Sequence, residues 1–199
     1  MRDSFPDVRC EESAFARDRA PVRVERWDEG HVRACAGELA ELLADTVAGG
    51  ASVGFLASFG RAQAAGWWRE RADAMVCGRL AVWAAVADTG RVLGTVSLDR
   101  PDKPNSRHRA ELVKLMVHRT ARGQGLGRRL LTTAEDAAAA AGITLLHLDT
   151  ETDSPAEQLY RSAGWTRAGV IPDYVLSPAG ELRPTTLYFK RLDFRRPGG

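Results

Sequence analysis

The run ARGQGLGRRL, residues 121–130, constrains this chain more than any other, because it sets glycines at 123, 125 and 127 among arginines. Before it lies AELVKLMV (110–117), an apolar run of strand length. After it comes RRLLTTAEDAAAAAG (128–142), a helix of strong formers closed by Gly142. A glycine inside a regular element costs about 0.5–1 kcal/mol relative to alanine, so alternate glycines at a strand-to-helix junction need a reason in the backbone. A nucleoside-triphosphate loop would place lysine and a hydroxyl after the last glycine, whereas Arg128 and Arg129 follow Gly127 here. A dinucleotide fingerprint runs GxGxxG, and this stretch runs GxGxG. What remains is RxxGxG, with Arg122, Gly125 and Gly127 opening a helix. That context suits a pyrophosphate. The first helical turn leaves its N–H groups unpartnered, the helix dipole adds about half a positive charge, and absent Cβ atoms let oxygens approach. Arg122 and Arg128 add charge at the rim. A plain glycine turn is the alternative.

The rest of the chain builds a setting for this junction. VRVERW (22–27) alternates as a short strand. From Asp28 one helix is predicted, with Val32, Ala36, Leu39, Leu43 and Val47 at spacings of three and four and Gly49–Gly50 ending it. A second helix over 59–75 puts Ala64, Trp68, Ala72 and Met75 on one stripe, with Trp67 and Trp68 as core or groove wall. LAVWAAVA (80–87), DTG and VLGTVSL (92–98) form a hairpin, and PDKPNSRH (101–108) a loop. TLLHLDT (144–150) is a nearly continuous apolar strand, as burial on both faces demands. In SPAEQLYRSAG (154–164), Ser154 caps a helix, Pro155 opens it, Glu157 completes a capping box and Gly164 ends it. Two last strands flank the turn SPAGEL. The order β-αα-βββ-α-β-α-ββ makes one α/β domain over 21–193 with a mixed sheet, a loosely docked N-terminal extension over 1–20 and a frayed tail over 194–199.

Composition narrows the function. With 199 residues there is room for one domain and a sizeable core. A net charge of +2 with dispersed arginines offers no nucleic-acid stripe. Cys10, Cys35 and Cys77 are odd in number and far apart, which reads as free thiols in a reducing cytosol. His31, His108, His118 and His147 show no metal-ligand spacing, so no metal is expected. The N-terminus lacks an apolar signal core and no run is long enough to span a membrane. The expectation is a cytoplasmic protein with no membrane partner, of unread oligomeric state, monomer or homodimer.

LVKLMVHRTARGQGLGRRLL resembles the acyl-CoA signature of the GCN5-related N-acetyltransferases (GNAT), and SPAEQLYRSAGW resembles that family's later tyrosine-bearing helix. The likeness in element order covers about residues 22–192. KLMV, LLHLDTE, AEQLY and LYFK look most similar to the tabtoxin-resistance acetyltransferases, which act on a β-lactam-containing amino acid. The resemblance implies acetyl-CoA as co-substrate. It also implies a mostly antiparallel sheet, flanked by helices, whose fourth and fifth strands splay so that Leu115, Met116 and Val117 pair with the pantetheine arm. One backbone N–H in that stretch would polarise the thioester carbonyl. Arg122, Gly123, Gln124, Gly125, Leu126, Gly127 and Arg128 would hold the pyrophosphate. Ser154 stands where many relatives carry a pantetheine-binding asparagine, and Arg119 where many carry proline or aspartate.

Tyr160 matches the family tyrosine that protonates the departing thiolate. The attacking amine must lose a proton, so a base is required. Glu111 is the first candidate and Asp149 the second, and Asp149 is also a candidate to hold the substrate ammonium. Tyr174 joins Glu111 and Asp149 as a substrate-binding candidate, while His147, flanked by leucines, reads as a satisfied core histidine. No cysteine falls on a motif, which favours direct attack in a ternary complex over an acyl-cysteine. The expected activity is acetyl transfer to a small-molecule primary amine. A protein or peptide N-acetyltransferase and a non-catalytic acyl-CoA-binding module are the alternatives.

Overall fold

The computed structural model describes residues 22–193, so the extension expected over 1–20 and the tail over 194–199 lie outside the described residues. Seven strands form one sheet in the order β1-β2-β3-β4-β5-β7-β6. The strands are β1 (Val22–Trp27), β2 (Leu80–Ala87), β3 (Val92–Asp99), β4 (Arg109–Val117), β5 (Leu145–Glu151), β6 (Thr166–Leu176) and β7 (Leu182–Arg191). Every neighbouring pair is antiparallel except β4 and β5, which run parallel.

The helix expected from Asp28 to Val47 is two helices, α1 (Glu29–Ala34) and α2 (Ala36–Ala48), broken at Cys35. The Asp28 carboxylate caps α1 by accepting the His31 N–H at 2.8 Å. The apolar stripe runs unbroken through the joint, since Val32, Ala36, Leu39, Leu43 and Val47 are all buried. Periodicity reports that stripe and is blind to a break that preserves it. Three further helices follow, α3 (Arg61–Val76), α4 (Leu126–Ala140) and α5 (Pro155–Ser162). The predicted loop at 101–108 holds a single 3-10 turn at Pro104–Ser106.

The sheet is covered on both faces. One layer packs α1, α2 and α3 on Val82, Ala84 and Val86 of β2, with Trp68 fully buried among them. The other packs α4 and α5 on Leu112, Leu146 and Leu148, with Leu130 and Leu131 fully buried. At about 25 cal/mol per Å² of apolar surface, such leucines contribute roughly 2 kcal/mol each. Two-sided burial is why β2 reads as a continuous apolar run, whereas β5 buries only Leu146 and Leu148 and leaves Leu145 and His147 half-buried and Asp149 exposed, so the burial expected on both of its faces is not met.

Two features of β4 prepare the site. A bulge separates the pairs Ser97–Val113 and Thr95–Met116, and within it Lys114 takes a left-handed φ of 55°. Alternation therefore slips: Ala110 and Leu112 pack with the α4 layer, while Met116 joins the α2–α3 layer. In addition, β4 pairs with β5 only over Arg109–Glu111 against Leu145–His147. Beyond Glu111 the two strands part, as the resemblance implied.

Candidate active site

The glycine run now has an explanation residue by residue. Gly123 and Gly125 have φ of 75° and 76°, left-handed values that side-chain-bearing residues rarely adopt. A Cβ at either would meet nothing within 4 Å, so conformation demands glycine there, and open space stands over both. Gly127 is glycine for closeness, since its Cβ would lie 3.3 Å from Leu159 Cδ2 on α5. Gly125 caps α4, and the first helical hydrogen bond runs from the Arg129 N–H to the Gly125 carbonyl at 3.1 Å. The N–H groups of Leu126, Gly127 and Arg128 precede it, and they sit at the positive end of a fifteen-residue helix. Positive φ, open space and unpartnered donors together fit a pyrophosphate. The two arginines act as braces: Arg122 Nε donates to the Val117 carbonyl at 3.0 Å, and Arg128 reaches Ser162 on α5. Gln124 Nε2 donates to the Thr120 carbonyl at 3.3 Å.

Along the parted edge of β4, Leu115, Met116 and Val117 divide their roles. Gly94 of β3 stands opposite Val117, and the His118 N–H bonds the Leu93 carbonyl at 2.9 Å. In that antiparallel pattern the polar groups of Val117 point away from β3, toward the fork. Val117's carbonyl is held by Arg122; its N–H remains turned to the opening. Met116 is 2% exposed and serves the core. Arg119, the departure from many relatives, is tied to α2, where Asp45 accepts its backbone N–H at 2.9 Å and its Nε. Burial alone would raise the Asp45 pKa, but Arg119 and His118 outweigh it and hold the carboxyl low.

On the opposite side of the fork the structure gathers charged groups. Glu111 stands beside Asp99 of β3 and His147 of β5 in the sheet register. Burial first, then the charges of Asp149 and Asp99, push the Glu111 carboxyl above its ordinary range, against the pull of Lys114 and Arg109. Asp149, two residues along β5 from His147, lies on the same face. Arg109 meets His147 Nε2 at 2.8 Å, and burial together with Arg109 lowers the imidazole pKa. His147 is therefore satisfied, as expected, but half-buried at the site's edge rather than in the core. Tyr160 on α5 is 5% exposed and packs near Trp165 and Tyr188. Burial and the Asp149 charge raise its hydroxyl pKa, so it stays protonated.

Ser154 caps α5, its Oγ accepting the Glu157 N–H at 3.2 Å and lying 3.4 Å from Thr150 Oγ1. Glu157 reaches the Asp153 N–H at 2.6 Å, one residue before the reciprocal partner of a regular capping box, and accepts from Tyr188 at 2.8 Å. Tyr174 does not join the cluster directly. It is 53% exposed on β6, with β7 lying between that strand and β5.

Sequence reasoning missed Lys114, Arg71 and Phe55, and it named Trp67 of the aromatic wall beneath them only as core or groove wall. Lys114 Nζ donates to the Val53 carbonyl at 2.9 Å and sits 5.3 Å and 5.4 Å from the Phe55 and Trp67 ring centres. Arg71 pairs with Asp99 at 2.5 Å and lies 5.6 Å over Trp67. These groups come from 53–55, 67–71, 99 and 114, and no short motif joins them. The one available signal was a lysine inside an apolar strand, KLMV. Among the described residues, no cluster of three or more His, Cys, Asp or Glu is arranged to hold a metal, and no helix is long and apolar enough to cross a membrane.

A backbone cradle at a helix start, beside a parted parallel strand pair, defines a transferase of acyl groups carried on CoA. A model of the acetyltransferase (GNAT) family matches residues 55–165, more than half the chain, and the chain belongs to that family. It is an acetyltransferase by family, and solved neighbours that share its fold bind acetyl-CoA. Solved structures share the fold. YncA of Salmonella typhimurium, solved with its cofactor acetyl-CoA, aligns with a TM-score of 0.70 at 20% identity, over 90% of this chain and 99% of that one. A phosphinothricin acetyltransferase from Sinorhizobium meliloti, in complex with acetyl-CoA, gives 0.68 at 16% identity over 86% and 88%. A ribosomal-protein-alanine N-acetyltransferase from Brucella melitensis gives 0.66 at 22% over 85% and 98%.

Proposed function

We propose that this acetyltransferase acts on the primary amine of a small, amino-acid-like molecule, by direct attack in a ternary complex. The observation that carries the reading is the placement of Glu111 and Asp149 on one face where β4 and β5 part, with the Glu111 carboxyl raised toward neutral pH. Acetyl-CoA supplies the acyl thioester. Glu111 accepts the proton that the amine must lose, directly or through a water, and a raised pKa makes it a better base at neutral pH. Asp149 holds the ammonium beforehand. Backbone N–H groups in the stretch Leu115–Val117 receive the pantetheine arm and stabilise charge on the carbonyl oxygen. Residues Arg122–Arg128 hold the pyrophosphate, and Ser154 has a hydroxyl hydrogen to offer the arm. Tyr160, kept protonated by its surroundings, gives a proton to the leaving sulfur. Tyr174, exposed on β6 and outside this cluster, is left to contact whatever part of the acceptor extends beyond it.

The short matches to tabtoxin-resistance enzymes support an amino-acid-like β-lactam as one acceptor, and the neighbour named for phosphinothricin acetylation supports small acceptors generally. The free thiols Cys35 and Cys77 accord with a cytoplasmic enzyme. The test is release of CoA thiol from acetyl-CoA in the presence of amino acids, tabtoxinine-like β-lactams, simple amines and N-terminal peptides. Small amino-acid-like amines should be turned over with the highest kcat/KM. Preferential turnover of peptides would overturn the small-acceptor reading.

A further inference from the structure

Lys114 is the unusual residue of the acceptor side. As the bulged residue of β4 it holds φ at 55°, a conformation that disfavours an L side chain by about 1–2 kcal/mol. The bulge frees its side chain from the strand's alternation, and the ammonium lands between Phe55 and Trp67, in a cage of aromatic faces. Aromatic faces of this kind attract a ligand's cation. Here the protein fills them with its own. Lys114 Nζ uses one donor on the Val53 carbonyl and carries three.

The charges around it are of both signs, and of these Arg71 and Asp99 form an ion pair. Glu111, Asp149 and Asp99 make the acidic part, close enough that Lys114 and the first two perturb one another. Burial first, then Arg71 as a second cation, lower the Lys114 pKa, against the pull of Asp149 and Glu111. The Arg71 guanidinium is committed to Asp99 on one edge, while its Nε is buried without a hydrogen-bond partner. A small acceptor entering beside Glu111 therefore meets carboxylates for its amine and an ammonium for whatever stands next to the amine.

We propose that Lys114 sets the charge of the acceptor, occupying the Phe55–Trp67 cage against a second substrate cation and presenting its remaining N–H donors to a carboxylate or similar anion beside the reacting amine. This rests on the small-amine reading above and names the substrate class within it: zwitterions. Loop 51–59 belongs to the same device, because Lys114 pins it at Val53 while the Ala57 N–H bonds the Pro178 carbonyl at 3.0 Å.

The experiment measures kcat/KM by CoA thiol release with the full chain, using the L-amino acids, their carboxamides and linear diamines of three to six carbons. Charge-assisted hydrogen bonds of this kind support a preference of about ten- to a hundredfold for acid over amide, with diamines last. In Lys114→Met the acid-to-amide ratio should fall toward one and the diamines should gain on both, with acetyl-CoA affinity retained by calorimetry. Lys114→Arg should keep the wild-type order. Should the methionine variant not fold, Lys114→Gln carries the same ratio test. Equal turnover of acids and amides by the wild type overturns the proposal. So does a Lys114→Met variant that loses all three acceptor classes by one common factor, which would make the lysine a strut for the loop alone. Turnover of peptides only would instead overturn the small-amine reading, and it would show in the wild type before any variant is compared.

Discussion

In the function proposed above, the donor side and the acceptor side of this enzyme are built by opposite means. The donor side is backbone: an edge of β4, the turn at 118–125 and the first N–H groups of α4, all within one segment of sequence. Its arginines serve as braces rather than as prongs, Arg122 on the Val117 carbonyl and Arg119 on Asp45. The acceptor side is side chains: Phe55, Trp67, Arg71, Asp99, Glu111, Lys114 and Asp149, brought from five elements or loops. A pyrophosphate and a pantetheine arm are the same for every acyl-CoA, so a fixed backbone cradle suffices for them. An acceptor is recognised by charge and shape, and those reside in side chains that can change without disturbing the cradle.

The sharpest way to separate the two sides is Glu111→Gln. Removing a general base lowers the rate by about 10²–10⁴-fold, and this loss should fall on kcat, with acetyl-CoA affinity by calorimetry unchanged. The same variant makes a second, opposite prediction. The Glu111 pKa is raised in the fold, so its neutral form is the favoured one. That stability is fully present below the unfolded pKa and is lost as pH rises through the folded value. Thermal melting should therefore find Glu111→Gln more stable than wild type at pH 8 and no more stable at pH 4. Parallel pH–rate profiles should place the wild type's acid limb above the range of an ordinary carboxylate.

Tyr160→Phe comes next. The phenol is already protonated across the working range, because burial and Asp149 both raise its pKa. Losing it should cost about a hundredfold in kcat, the low end for an acid–base group. Stability should change little, since the ring keeps its contacts with Trp165 and Tyr188. A donor with a better leaving group than CoA thiolate should need the proton less and recover part of the loss. An unchanged kcat would remove Tyr160 from the chemistry and return it to the core.

What could be read in the sequence divides along the same line. The junction at 117–128 was legible because every requirement on it is local: left-handed turns want glycine, a helix start wants no Cβ in the way, and a strand precedes. Element order and the α3 stripe were legible from periodicity. The break at Cys35 was not, because it keeps the same residues buried. Glu111, Asp149 and Tyr160 were named through family resemblance, whereas Lys114 sits in a bulge that no pattern announces. Arg71 and Asp99 meet only because α3 packs on β2, whose Leu80 pairs with Asp99 across the sheet. Long-range side-chain pairing leaves no periodic trace.

Gly125→Ala is the smaller test, aimed at the cradle. Forcing alanine into φ near 76° costs about 1–2 kcal/mol, and the helix start should shift to relieve it. The KM for acetyl-CoA should rise about five- to twentyfold, while the acceptor acid-to-amide ratio stays at its wild-type value. Gly127→Ala should do less, because its obstacle is the movable end of Leu159, 3.3 Å away. If Gly125→Ala altered acceptor preference as much as donor KM, the two sides would not be separate devices.

The smallest expected effect is at the brace between them and the rest of the fold. Asp45→Asn removes the charge that receives Arg119 and faces His118 Nε2 at 3.4 Å. Asp45's side chain is only 9% exposed, so the loss should reach about 1 kcal/mol, or about 2–4 °C in Tm for a domain of this size. The sign with pH follows from the direction of its shift. Asp45 is held low in the fold, so its stability is present above the unfolded pKa and lost as pH falls through the folded one. The Tm gap between variant and wild type should therefore be widest at neutral pH and close as the solution nears pH 3. Acetyl-CoA KM should move less than about threefold, because Arg122 and the two left-handed glycines hold the turn independently. A Tm gap that stays constant down to acid pH would show that Asp45 contributes shape to this joint rather than charge.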